Sequence, residues 1–221
     1  MRIRKAVESD IHDIRRIHQA AIRQVCSFDY PANVIAAWLS GNSDERYLQS
    51  INEASFWMVE ERASLGFGCV RIEQSKLDAL FLAPEARGKG IAAVLLHHLE
   101  QVAVGAGIDV LCLDSSLSAK TFYAKHGYCV CGGKASIQLA SGVDLASIPM
   151  SKRVVPKEPL NKSILDLSEG AESGAGPDSA TSDQTPACSM RDKPSMAWGR
   201  SELVQTFPSN SLKPKPLRGS A

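Results

Sequence analysis

One segment, residues 77–96, constrains the fold most, because it combines a short apolar stretch, a loop with two glycines and the start of a helix. Leu77–Leu82 is largely apolar and is soon followed by Pro84, which is typical of a buried strand. Apolar residues then recur at helical spacing and predict a helix that begins near Gly88. Glycine lets the backbone approach a ligand closely, and a helix N-terminus offers free N–H groups and a positive dipole end. The segment therefore predicts an anion cradle, with a pyrophosphate as the preferred ligand.

The basic residues of this cradle, Arg87 and Lys89, do not fit a Walker phosphate loop. Such a loop requires Ser or Thr directly after its lysine, and Lys89 is followed by Gly90. This class of nucleotide site is therefore excluded.

A dinucleotide-binding fingerprint matches the cradle better in its spacing. Gly88, Gly90 and Ala93 occupy its three small positions, and Asp114 follows about 20 residues later, where an acidic residue would contact a ribose. In that fold, however, the glycine turn follows its strand directly, whereas residues 83–87 intervene here. The fingerprint is kept as a minor alternative, because isolated motifs often match by chance.

Two blocks of the sequence, in the expected order, resemble the GNAT superfamily of acetyl-CoA-dependent N-acyltransferases. The first is Arg-x-x-Gly-x-Ala at Arg87–Ala92, which follows a strand that ends with Leu80–Leu82. The second is Ala119–Tyr128, which is similar to the family's A-x-x-F-Y-x-x-x-G-F segment. The resemblance covers about residues 1–153.

Hydrophobic periodicity along the same region predicts an α+β domain over residues 1–154, with a mixed, mostly antiparallel sheet flanked by helices. The helix after the cradle makes a crossover, so the strand that follows it is expected to run parallel to the one before, as the central parallel pair. The predicted strands are 2–7, 56–61, 67–73, 76–82, 109–114, 128–131 and 144–153, and the predicted helices are 11–26, 31–41, 88–104 and 116–125.

Residues 155–221 differ in composition from the rest of the chain. They hold eight of the eleven prolines and many serines and glycines, with sparse apolar residues and no sustained period. Such a segment buries too little apolar surface to offset its ordering entropy. The sequence therefore predicts a disordered C-terminal tail.

Composition also limits the partners. The net charge is +1, which gives no reason to expect nucleic-acid binding. The longest apolar run, Ile91–Leu96, is far shorter than the ~20 residues that span a bilayer, and no signal peptide is evident, so we expect a cytoplasmic protein without membrane contact. The six cysteines are expected to be reduced thiols, and His126 near Cys129 and Cys131 makes too few ligands for a metal site. A homodimer is left open.

The family resemblance implies that acetyl-CoA is the acetyl donor and that no metal is used. It also implies which residues would bind acetyl-CoA. The backbone of Leu80, Phe81 and Leu82 would bind the pantetheine arm, and an N–H there would stabilise the developing oxyanion. Ser116 stands where the family often has an Asn that contacts the arm, and it offers one hydroxyl. The residues that would hold the pyrophosphate are Arg87, Gly88, Lys89, Gly90, Ile91, Ala92 and Ala93.

The resemblance also implies catalytic groups. Tyr123 matches the family's tyrosine that protonates the departing thiolate, and a phenol with a pKa near ~10 can assist a thiol with a pKa near ~8.5. An ammonium must lose its proton before attack, and the candidates for the base are Asp78 and Asp114, at strand positions beside the cradle. Deprotonation through water is the alternative.

The helical region near the N-terminus would form one wall of the acceptor pocket, with Phe28, Tyr30 and Trp38 as candidates for shaping it. His18 is expected to be solvent-facing or half-buried. The predicted function is acetyl transfer from acetyl-CoA to a primary amine in a ternary complex. A small-molecule amine is the first expectation for the acceptor and a protein amine the second. The alternative from another class is a non-catalytic CoA-binding regulatory module.

Overall fold

The computed structural model describes residues 1–155, and the predicted disordered tail, apart from Val155, lies outside the described residues. Its helices are α1 Ile11–Gln24, α2 Ala32–Ser40, α3 Asp44–Glu53, α4 Ile91–Gly105 and α5 Lys120–Lys125. Its strands are β1 Arg2–Lys5, β2 Ser55–Glu60, β3 Ser64–Arg71, β4 Lys76–Leu82, β5 Val110–Ser115, β6 Cys129–Val130, β7 Ala135–Gln138 and β8 Asp144–Arg153.

Seven strands form a sheet in the order β1-β2-β3-β4-β5-β8-β6, and β7 pairs with β8. Only the central pair, β4 and β5, is parallel, and the other pairs among the described strands are antiparallel. The parallel pair follows from α4, because a helical crossover returns the chain to the same end of the sheet. The predicted α+β fold with a mixed sheet and a central parallel pair is confirmed.

Helices α1 and α4 bury their apolar stripes in the main core. On α1, Ile14 and Ile17 are fully buried, and on α4 the same is true of Leu95 and Leu99. Helix α4 lies very close to β3, since a Cβ at Gly68 would be 2.6 Å from Cδ1 of Leu99. The apolar residues whose spacing predicted both helices are therefore the residues that pack in the core.

A second apolar cluster joins the α1–α2 region to the hairpin of β7 and β8. Its buried members are Ile22, Cys26, Tyr30, Val34, Trp38, Ile137, Leu139 and Leu145. Tyr30 connects three parts of the chain, because its hydroxyl donates to the carbonyl of Ala146 at 2.7 Å and accepts from the N–H of Leu117 at 2.9 Å. The segment that precedes α2 is therefore fixed against β8 and the short turn before α5.

The sequence analysis missed two elements, α3 and β7. Helix α3 is mostly polar and buries only Tyr47 and Ser50, so its apolar period is weak. Strand β7 has four residues, of which only Ile137 is buried. Both elements are ordered by neighbours that are distant in sequence. The predicted helix start near Gly88 is also corrected, because the regular helix begins at Ile91.

Asp10 links the first strand to the first helix. Its carboxylate accepts two hydrogen bonds from Arg4, at 2.7 and 2.8 Å, and a third from the N–H of Val7 at 2.9 Å. The hydrogen bonds from Arg4 are the main cause that lowers the pKa of Asp10 below its usual value. A lowered pKa means that folding favours the ionised carboxylate.

We therefore expect Asp10→Asn to lower the free energy of unfolding by about 1–3 kcal/mol at neutral pH. The contribution of Asp10 is complete above the pKa of the unfolded chain, about 4, and is lost as the pH falls through the lower folded pKa. Denaturant unfolding of both proteins from pH 7 to pH 3 measures this, and the two stabilities should converge at acid pH. A gap that stays constant over this range would contradict the account.

Candidate active site

Strands β4 and β5 are joined at a single point and then separate. Their one register pair is Lys76 with Cys112, where the N–H of Cys112 donates to the carbonyl of Ser75 at 2.9 Å. Strand β5 continues along β8, and β4 continues along β3 with a bulge at Asp78. The edge of Leu80–Leu82 that faces β5 therefore has no strand partner within residues 1–155. These three residues are the ones for which the family resemblance implied backbone contacts with pantetheine.

The predicted anion cradle lies directly after β4. Gly88 and Gly90 have φ of +73° and +75°, and a Cβ at either position would meet no atom within 4 Å. Gly90 is the N-cap of α4, and the amides of residues 88–92 have no main-chain acceptor within the described part of the chain. Arg87 and Lys89 are exposed beside them. The loop is open and rich in N–H donors, so its geometry fits a phosphate group.

Tyr123, on α5, is buried in the main core. It is only 7% exposed, and its ring contacts those of Phe122 and Tyr128 at centroid distances of 5.2 and 5.6 Å. Burial raises the pKa of Tyr123 above its usual value, so the phenol keeps its proton at neutral pH. Ser116 is the N-cap of the short turn that precedes α5, and it is partly exposed.

The two carboxylates proposed as bases are both engaged in ion pairs. Oδ2 of Asp78 accepts from Nε of Arg71 at 2.9 Å, and Oδ2 of Asp114 lies 2.9 Å from Nζ of Lys76. Their side chains are 18% and 13% exposed. The structure therefore gives each of them a cationic partner.

The three aromatic candidates for the acceptor pocket differ in their surroundings. Phe28 is 86% exposed, whereas Tyr30 is buried and uses its hydroxyl in the contacts given above. Trp38 is 5% exposed, contacts the rings of Tyr30 and Phe81, and lines a small cavity. Of the three candidates, Trp38 therefore has the position that best fits a pocket wall.

The sequence analysis missed His18, which lines the same cavity. It is 8% exposed, so the half-buried expectation is wrong, and burial lowers its pKa to about 3. Its ring lies 4.2 Å from that of Phe81 on β4, centroid to centroid. Its position four residues from both Ile14 and Ile22, on the buried stripe of α1, was the signal for its burial.

Two further features concern binding classes that the sequence argued against. Among residues 1–155, no group of three His, Cys, Asp or Glu side chains is arranged to hold a metal ion. No helix in that part of the chain is long and apolar enough to cross a membrane.

Solved structures of two N-acetyltransferases have a similar fold. A GCN5-related N-acetyltransferase from Rhodopseudomonas palustris matches with a TM-score of 0.64 and 23% identity, over 69% of this chain and 94% of that chain. PaiA N-acetyltransferase from Thermoplasma acidophilum, in complex with coenzyme A, matches with a TM-score of 0.58 and 22% identity, over 69% and 98%. The fold is therefore that of the GCN5-related N-acetyltransferases.

Sequence comparison gives the family. A family model described as an acetyltransferase (GNAT) domain matches residues 26–153. The uncharacterized N-acetyltransferase YafP of Escherichia coli K12 is 27% identical over 129 residues, which are 58% of this chain and 81% of that protein. The peptidyl-lysine N-acetyltransferase YjaB of Salmonella typhimurium LT2 is 29% identical over 104 residues, 47% and 68% of the two chains. The chain belongs to the GNAT family of acetyl-CoA-dependent N-acetyltransferases, as its two sequence blocks predicted.

The cradle can be tested with a matched pair of glycines. We expect Gly90→Glu to weaken acetyl-CoA binding at least about tenfold, because a carboxylate would then face the phosphates. Gly107→Glu is the control at the other end of α4, since Gly107 has a φ of +81° and an equally open Cβ position. Each change should cost a similar backbone strain of about 1–2 kcal/mol. Calorimetry should show the loss of affinity in the Gly90 variant alone, and equal losses in both would argue against the cradle.

Proposed function

We propose that the protein transfers an acetyl group from acetyl-CoA to the primary amine of a small molecule, by direct attack in a ternary complex. One observation supports this most strongly. Strands β4 and β5 separate after a single residue pair, the cradle follows β4, and Tyr123 lies on the helix that follows β5. If the pantetheine arm of acetyl-CoA lay between the strands, the phosphates would be at one end of the arm. The phenol of Tyr123 would then be near the sulfur at the other end.

In this proposal the chain holds the donor mainly through its backbone. The amides of residues 88–92, with Arg87 and Lys89, bind the pyrophosphate, and the first turn of α4 adds the small residues Ala92 and Ala93. The free edge of Leu80–Leu82 pairs with the pantetheine amides, and an N–H on this edge donates to the oxygen on which charge develops. Acetyl-CoA supplies the thioester that is attacked.

Tyr123 is proposed as the acid. Its raised pKa keeps the proton on the phenol, which can then donate to the sulfur as the thiolate departs. The ring contacts those of Phe122 and Tyr128, which restrict its orientation before the donor binds.

We expect Tyr123→Phe to lower kcat at least about tenfold and to leave the Kd of acetyl-CoA nearly unchanged. Tyr128→Phe is the matched control, because it removes the same group from the neighbouring tyrosine, which is also a buried residue. Steady-state CoA release and calorimetry on the two variants measure these effects. Equal turnover in wild type and Tyr123→Phe would refute the role of the phenol.

The proton acceptor is the least determined part of the mechanism. Asp78 and Asp114 remain the carboxylate candidates, but their contacts with Arg71 and Lys76 favour a structural role for each. The first pair stabilises the bulge of β4, and the second joins β4 to β5 where they begin to separate. We propose that the substrate ammonium loses its proton to water.

Asp78→Asn and Asp114→Asn should each lower the free energy of unfolding by about 1–3 kcal/mol, because a largely buried cation loses its nearest carboxylate. Neither substitution should shift the pH profile of kcat/KM. Thermal unfolding and pH–rate profiles of both variants test this. A loss of about 100-fold or more in kcat/KM with normal unfolding would identify that carboxylate as the general base instead.

A protein lysine is the second candidate for the acceptor, because the Salmonella relative is named a peptidyl-lysine N-acetyltransferase. A panel of small amines and lysine peptides, assayed by CoA release, separates the two classes. Binding of acetyl-CoA without release of CoA from any member would favour the non-catalytic module.

A further inference from the structure

Tyr30 connects the α1–α2 region to the segment of the chain that carries Tyr123. Its side chain is buried, and its ring contacts that of Trp38 at a centroid distance of 5.8 Å. Its hydroxyl donates to the carbonyl of Ala146 at 2.7 Å and accepts from the N–H of Leu117 at 2.9 Å. The polar group of Tyr30 is therefore used on β8 and on the turn before α5.

The donor and acceptor roles in these two hydrogen bonds are determined by the groups themselves. A carbonyl can only accept and a backbone N–H can only donate, so the single proton of the phenol goes to Ala146. Burial raises the pKa of Tyr30 to about 12, so the phenol keeps that proton at neutral pH. The oxygen is then free to accept from Leu117. A phenylalanine at this position would keep the ring and lose both hydrogen bonds.

Leu117 begins the turn from which α5 continues. The N-cap of this turn, Ser116, makes no capping hydrogen bond with its side chain. The first N–H groups of a helical segment have no partner within the segment, so another group must supply one. The hydroxyl of Tyr30 does so for Leu117, although the two residues are 87 positions apart in sequence. Oγ of Ser118 also donates to Oδ2 of Asp29 at 2.6 Å, in an exposed contact between the same two segments.

The direction of α5 depends on how its ends are held, because the helix has only six residues. Helices of this length are not stable on their own. At the C-terminal end, the N–H of Tyr128 donates to the carbonyl of Tyr123 at 3.1 Å. At the N-terminal end, Tyr30 holds the preceding turn. Since Tyr123 lies within this short helix, a shift of the turn would move its phenol.

We propose that Tyr30 is a positioning residue for Tyr123: its hydroxyl fixes the turn before α5 and thereby directs the phenol of Tyr123 at the sulfur of the donor. This inference rests on the proposed function, in which Tyr123 is the acid. Proton donation depends steeply on geometry, and a misplacement of about 1 Å can lower a rate about 100-fold. Tyr30 acts through Tyr123 and is not itself the acid, because its only proton is donated to Ala146.

The hydrogen bond to Leu117 is tested first without catalysis, by amide hydrogen exchange resolved by NMR. In the wild type, the N–H of Leu117 should exchange at least about tenfold more slowly than that of Ser118, which has no acceptor in the described part of the chain. This difference should disappear in Tyr30→Phe and persist in Tyr47→Phe. Tyr47 is the matched control, because it is another buried tyrosine and its hydroxyl contacts His18 on α1. Equal exchange of the two amides in the wild type would overturn the proposal, even if Tyr30→Phe does not fold.

The effect on the reaction is tested by a double-mutant cycle on kcat. We expect Tyr30→Phe to lower kcat at least about tenfold, with KM for the amine and Kd for acetyl-CoA nearly unchanged. Because Tyr30 acts through Tyr123, the double variant Tyr30→Phe/Tyr123→Phe should be no slower than Tyr123→Phe alone. The control Tyr47→Phe should keep the kcat of the wild type.

Two results of this cycle would overturn the proposal. One is a double variant whose loss in kcat is the product of the two single losses, since independent effects multiply. The other is an unchanged kcat in Tyr30→Phe. Wild-type turnover in Tyr123→Phe would instead contradict the proposed function, and the exchange of the Leu117 N–H would still show whether Tyr30 holds the turn.

Discussion

The ion pair of Lys76 with Asp114 lies where β4 and β5 begin to separate, and the candidate site depends on that separation. Only Lys76 and Cys112 are paired between the two strands, so the sheet stays continuous at one end and open at the other. Because β5 is held by β8 and β4 by β3, neither strand needs the other beyond this point. Backbone groups that a continuous sheet would use are thereby left for a ligand.

The edge and the face of β4 contribute different kinds of groups in this account. The edge toward β5 offers main-chain groups, and the cradle at the end of the strand continues them into the N-terminus of α4. The face that carries Phe81 meets His18 and Trp38, which belong to α1 and α2. In the proposed function, the donor is therefore bound mainly by backbone groups, and the side chains of α1 and α2 lie on the other side of β4.

This division explains how much the sequence could predict. Glycines with positive φ, a helix start and the segment around Tyr123 are local, so the cradle and the order of β4, α4, β5 and α5 were readable from residues 77–128. The ion pairs of Asp78 and Asp114 could not be predicted from the sequence. Their partners, Arg71 and Lys76, are brought close to them by the bulge in β4 and by the register of the strands. The cavity of His18 was equally hidden, since its wall comes from three regions of the chain.

The central claim is that acetyl-CoA occupies the gap between β4 and β5, with its phosphates on the cradle. Amide hydrogen exchange, with and without acetyl-CoA, tests this most directly, because both assigned contacts are made by backbone N–H groups. The account predicts that acetyl-CoA slows exchange within residues 80–82 and 88–92. Unchanged exchange in both segments at saturating acetyl-CoA would contradict it.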